Sequence, residues 1–143
     1  MQSPSATETA ADDTSADRAS ATGTALAFAR AVAAQDWRAL LDLLAPDVDF
    51  HGLTPRRAWT APDAAGVVDD VILGAWFVPG EDVVEDLVGV AVAPVGARIR
   101  VGYRLRVSTP DGPHVVEQQA YLQAHDGRIG WLRILCSGFQ PGR

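Results

Sequence analysis

The stretch from Ala97 to Ser108, ARIRVGYRLRVS, alternates almost without a break. Ile99, Val101, Tyr103, Leu105 and Val107 occupy one set of positions, and Arg98, Arg100, Arg104 and Arg106 the other. Successive side chains of a strand point to opposite faces, so this pattern means one dry face and one wet face. A helix would scatter the same residues around its circumference. The chain is therefore committed to a sheet with a buried side, and the rest of the sequence must cover that side.

The neighbouring segments supply further strands and the cover. TPDGP is a turn, with Pro and Asp-Gly where a turn wants them. HVVEQQAYLQA then returns antiparallel, HDGR turns again, and IGWLRILCSGF forms the last strand, while the Val-rich DVVEDLVGVAVAPV precedes the alternating one. Earlier in the chain, TALAFARAVAAQ carries Leu26, Phe28, Ala29, Val32 and Ala33 on one helical stripe. Asp36 caps a second helix, WRALLDLLA, which Pro46 ends. DVDFHG reads as a short strand and TPRRAWTAPD as irregular, and Asp63 caps a third helix, AAGVVDDVILGAWF, closed by Pro79–Gly80. The expected fold is α+β: three N-terminal helices packed on one face of a curved antiparallel sheet.

Glu117, Gln118 and Gln119 are consecutive in the returning strand, so at least one of them must face the dry side. With Val107 placed opposite Val115, Leu105 faces Glu117, Tyr103 faces Gln119 and Val101 faces Tyr121. That register turns Glu117, Gln119 and Tyr121 toward the helices and Gln118 outward beside Arg104. Burial of a carboxylate raises its pKa, which suits Glu117 to proton transfer near neutral pH. His51, on the first strand beside Phe50, is a second candidate proton carrier because imidazole titrates in that range. Gln119 and Tyr103 are the candidate hydrogen-bonding groups, and Phe28, Phe50, Trp59, Trp76, Tyr121 and Leu132 the candidate apolar walls.

Composition narrows the partners. The net charge of −6 argues against nucleic acid or an anionic membrane, which both need concentrated Lys and Arg. Glu8, Asp12, Asp13 and Asp17 against Arg18 place half of that charge in residues 1–23, a segment of Ala, Ser, Thr, Asp and Glu that reads as a disordered tail before a domain at 24–143. Cys136 is the single cysteine, so no intrachain disulfide forms, and with no apolar run near the ~20 residues of a membrane span the expected location is the cytoplasm. His51, His114 and His125 show no metal-binding spacing, and no cofactor fingerprint is present.

The helix pair AAQDWRALLDLLAPDV and the terminal DGRIGWLRIL, with the element order over about residues 24–140, resemble the NTF2-like superfamily. That group includes ketosteroid isomerase, the SnoaL-like polyketide cyclases and limonene epoxide hydrolase. The resemblance implies a cone-shaped α+β barrel with a pocket between helices and concave sheet, commonly dimeric. The isomerase's catalytic set does not carry over. Its oxyanion Tyr falls on Phe28, its base Asp near Gly52 with His51 alongside, and its second donor on Gln119. The epoxide hydrolase's Asp–Arg–Asp arrangement has no clear counterpart, although Arg56, Arg57, Asp69 and Asp70 are close in sequence.

Two readings follow. One is a binder of a small hydrophobic molecule doing cofactor-free acid–base chemistry of cyclase, isomerase or hydratase type, with Glu117 or His51 moving the proton. The other is a ligand-binding or dimerisation module without turnover. In either, the Arg-bearing outer sheet face is the expected homodimer surface.

Overall fold

The computed structural model describes residues 20–142. Helix α1 is described over 20–34, at least four residues ahead of the expected domain boundary, with Thr24 Oγ1 donating to Ser20 O at 3.0 Å and Ala21 packed on the core. The remaining residues of the expected tail, 1–19, lie outside the described part. Helix α2 is Trp37–Leu43, and Asp36 caps it by accepting from Ala39 N at 3.0 Å. Gln35, between them at φ 51°, ties α1 to the rest: its amide donates to Asp82 O at 2.9 Å and accepts from Val84 N at 3.0 Å.

The third helical run, α3, starts with an α turn at Ala64–Gly66, capped by Asp63, and continues as π-helix over Val67–Trp76. The wider π spacing ends where Phe77 N donates to Ile72 O at 2.8 Å, five residues back. Val67, Val68, Val71, Ile72 and Trp76 of this run are buried.

The strands are β1 (Leu44–Thr54), β2 (Arg57–Ala61), β3 (Val83–Val95), β4 (Arg98–Thr109), β5 (Gly112–His125), β6 (Arg128–Cys136) and β7 (Gln140–Pro141). They form one sheet ordered β2-β1-β6-β5-β4-β3, with β7 also paired to β5. The β3–β6 portion is the expected antiparallel meander, and β1 joins β6 in parallel, which makes the whole sheet mixed. The stretch expected to be irregular contains a strand. β2 pairs with β1 from Phe50↔Ala61 to Thr54↔Arg57, held where Trp59 Nε1 donates to Thr54 Oγ1 at 2.8 Å and the Arg57 guanidinium lies 3.6 Å over the Trp59 ring.

The β4–β5 register differs from expectation by one residue. Thr109 pairs with Gly112, leaving a two-residue loop of Pro110 and Asp111 where the expected pairing needed three. Thr109 Oγ1 holds the tight turn by accepting from Asp111 N at 3.1 Å and donating to Gly112 O at 3.2 Å. Shortening a hairpin loop by one residue turns every side chain of the returning strand to the other face. Val107 therefore faces His114, Leu105 faces Val116, Tyr103 faces Gln118 and Val101 faces Ala120.

Candidate functional site

The helices cover a face built from Ile99, Val101, Tyr103, Leu105 and Val107 of β4 and Val116, Gln118, Ala120 and Leu122 of β5, all buried. Gln118 is 1% exposed and is the polar group that the sequence requires on the dry side. Tyr103 O–H donates to Gln118 Oε1 at 2.6 Å. Burial, with a smaller contribution from Cys136, pushes the Tyr103 hydroxyl well above its ordinary pKa, so it stays protonated and remains a donor. Cys136 stands beside Gln118 in the β5–β6 register, is buried, and accepts from Gly138 N at 3.4 Å.

The same interior holds an aromatic wall. Trp76, at the end of α3, has its ring 6.2 Å from Phe50 and 6.1 Å from Trp59, the latter edge-on at 86°. The indole lies against the sheet at Gly52, where an added Cβ would meet Trp76 Cη2 at 2.9 Å and Phe50 Cζ at 3.1 Å. Glycine at this position is what lets the ring reach the strand. Beyond Gln118, Phe139 stacks on Phe77 at 6.0 Å and meets His114 at 5.7 Å, closing that end of the interior with an aromatic that is 38% exposed.

Two donors in this interior have no acceptor among the described residues: Gln118 Nε2 and Trp76 Nε1. A buried polar group without a partner costs about 1–3 kcal/mol.

The expected site residues divide between the two faces. Tyr103, Phe28, Phe50, Trp76 and Leu132 are buried under the helices, and Trp59 is partly buried beside them. Glu117, Gln119 and Tyr121 are on the opposite face, which corrects the inward placement that the longer loop implied. Glu117 is an exposed partner of Arg104, whose Nε donates to Glu117 Oε2 at 3.0 Å, and a pair so exposed contributes at most about 1 kcal/mol. His51 is also outward, 3.8 Å from Asp49, whose carboxylate lies 3.2 Å from Arg133. On the outer face these four residues fall into separate hollows. Glu117 and Gln119 line two of about 750 and 400 Å³, and His51 and Tyr121 share one of about 430 Å³.

The strand's own pattern carries a partial signal for Gln118. Val116, Ala120 and Leu122 are apolar at the even positions while Glu117, Gln119 and Gln123 are polar at the odd ones, but Val115 and Tyr121 break the alternation, so the register decides between the faces. Among the described residues no group of His, Cys, Asp and Glu is arranged to hold a metal.

No protein-family model matches the chain, and no curated protein sequence matches it. Solved structures do. A candidate isomerase from Bacillus subtilis superposes with TM-score 0.67 at 14% identity, covering 85% of this chain and 88% of that one. An LEH-like epoxide hydrolase from M. tuberculosis gives 0.64 at 13% identity over 83% and 84% of the two chains. A candidate polyketide cyclase from Xanthomonas campestris gives 0.61 at 21%, covering 83% and 91%. The fold is NTF2-like. In this fold the interior described above lies between the helices and the sheet, and the face carrying Glu117 and His51 is the outer side of the sheet. No helix among the described residues is long and apolar enough to cross a membrane.

Proposed function

We propose that this interior is a cup that binds a small hydrophobic molecule bearing an oxygen acceptor, held by the neutral amide of Gln118. The observation that carries this reading is the pair of buried donors without acceptors, Gln118 Nε2 and Trp76 Nε1. The surrounding aliphatic and aromatic side chains supply apolar contact area, and a single polar group then fixes orientation. The wall at Phe139, partly exposed, is the route of access. Structural neighbours carry the names isomerase, polyketide cyclase and epoxide hydrolase, which supports such a reading. Glu117 and His51, on the outside, do not reach a ligand in the cup. This favours binding and polarisation of the ligand over proton transfer by these two residues.

The test is the side-chain amide and indole spectrum of ¹⁵N-labelled protein titrated with 2-acetylnaphthalene. The Gln118 amide and Trp76 indole resonances are expected to move together and saturate. Shifts confined to outer-face groups such as Gln119, or none at millimolar probe, would overturn the reading.

We also infer that the outer sheet face pairs with a second copy of this chain. Leu53, Leu135, Tyr121 and Val90 are exposed there, Leu135 to 56%. Leu53, Leu135 and Gln119 lie in one row across β1, β6 and β5, between a row with His51, Arg133, Tyr121 and Arg100 and a row with Glu117 and Arg104. An apolar strip flanked by both signs of charge is complementary to itself, as a two-fold interface requires. The Gln119 Oε1 atom, buried on this face without a donor, gains one from a partner. Sedimentation is expected to report a dimer that Leu135→Arg converts to monomer at the same concentration. A wild-type monomer at 100 µM, a deliberately high concentration chosen for the assay, would sink this pairing.

A further inference from the structure

Resting on the outer-face pairing just inferred, we propose that Gly102 opens a furrow that receives Leu135 of a second copy, each copy's ridge seating in the other's furrow. The outward positions of β4 read Arg98, Arg100, Gly102, Arg104 and Arg106, a row of arginines interrupted by one glycine. Gly102 is not among the glycines of positive φ, so the backbone there does not require the residue. A glycine inside a strand weakens it, and such a position commonly marks a place where another group approaches closely.

The row that crosses the sheet at Gly102 runs Leu53 on β1, Leu135 on β6, Gln119 on β5, Gly102 on β4 and Ala91 on β3. Its β1–β6 half is a ridge, with Leu53 and Leu135 side by side and 53% and 56% exposed. Its β4–β3 half is a hollow of about 400 Å³ lined by Gly102, Ala91, Val90 and Gln119 and bounded along β4 by Arg100 and Arg104. A Cβ at Gly102 would meet Gln119 Nε2 at 2.9 Å, so the missing side chain is what lets that amide lie down on β4. A two-fold axis running along β5, midway between ridge and furrow, exchanges the two halves. It sets Leu135 on the partner's Gly102 and Leu53 on the partner's Ala91, large against small, as a self-complementary interface requires. The occupant is a second copy because the side chain that fills the furrow is displayed in the same row, at the matching distance on the other side of β5.

Within one copy Leu135 and Gly102 are two strand spacings apart, about 10 Å, and Leu135 and Val90 three, about 14 Å. At such separations substitutions act independently, so coupling between these positions arises only across copies. Sedimentation equilibrium on the full chain measures the dimer dissociation constant of wild type, Leu135→Ala, Gly102→Ala and the double variant. Leu135→Ala is expected to weaken the dimer about hundredfold, roughly tenfold for each of the two symmetry-related contacts. Gly102→Ala is expected to weaken it at least about tenfold by lifting the Gln119 amide into the furrow. Its monomer, unfolded by urea below the dissociation constant, is expected to be as stable as wild type or more so, because the Cβ meets only the movable end of a side chain. Once Leu135 is shortened, filling the furrow removes nothing further, so the double variant is expected to match Leu135→Ala within about threefold. If Gly102→Ala does not fold, Leu135→Ala combined with Val90→Ala, an exposed wall position, decides by the same failure of the single effects to multiply. Single effects that multiply, or a Gly102→Ala dimer as tight as wild type, would overturn the furrow and leave the outer-face pairing standing. A wild-type chain that stays monomeric overturns the pairing, and the furrow with it.

Discussion

Phe28→Ala is expected to lower the unfolding free energy by about 3–5 kcal/mol, read from urea denaturation. The expectation follows from where the ring sits. As a pocket wall facing a ligand, Phe28 would be partly open and its loss would mainly widen the pocket. In the structure it is completely buried on α1, within the same core as Leu40, Ile72, Phe77 and Leu132. Removing the ring leaves a void that a close-packed interior fills only in part, and the cost combines lost transfer energy with the cavity. A loss below about 1 kcal/mol, the range typical of a surface position, would mean that Phe28 is a pocket wall after all.

Gly74→Ala should be the most damaging single-methyl addition, with a loss of at least about 3 kcal/mol, at the upper end of overpacking costs. A Cβ at this position would lie 2.0 Å from the Asp69 carbonyl oxygen, an atom of the helix backbone five residues back. No side chain can swing aside to relieve that contact. The backbone must instead give up its π spacing between Asp69 and Gly74, and a change of helical spacing rotates everything that follows. Trp76 follows, and its ring would leave the Gly52 strand. The variant is therefore expected to lose thermal stability and the Trp76 indole shift with 2-acetylnaphthalene together. A variant with wild-type melting temperature would show that α3 does not depend on the π spacing.

Much of the architecture could be read along the chain. The alternation of β4 was unambiguous because a period of two has no helical counterpart, and the caps at Asp36 and Asp63 were readable because Asp accepts from backbone N–H groups three residues on. β2 is hidden in the sequence. Arg56 and Arg57 between Pro55 and Pro62 look like a loop, and the strand's stability comes from pairing with β1 and from contacts of Trp59 with Thr54 and Arg57. The burial of the candidate residues was half legible. Tyr103, Phe50 and Trp76 are inside as expected, but the buried polar residue is Gln118 where Gln119 was expected, and Glu117 lies on the other face.

By itself the sequence determined the elements and their sidedness, because period, caps and turn residues act through the nearest few neighbours. It also required one polar residue of the Glu117–Gln119 triplet to be buried, since adjacent strand residues cannot share a face. Only the tertiary structure decided which one. A two-residue loop between Thr109 and Gly112, instead of three, set the face of every residue in β5. The π spacing of α3 brought Trp76 over Gly52 in the same way, through a backbone geometry that neighbouring residues do not specify. Gln118 meets Tyr103 through strand pairing and Trp76 meets Gly52 through helix packing, and those are long-range contacts that no local pattern encodes.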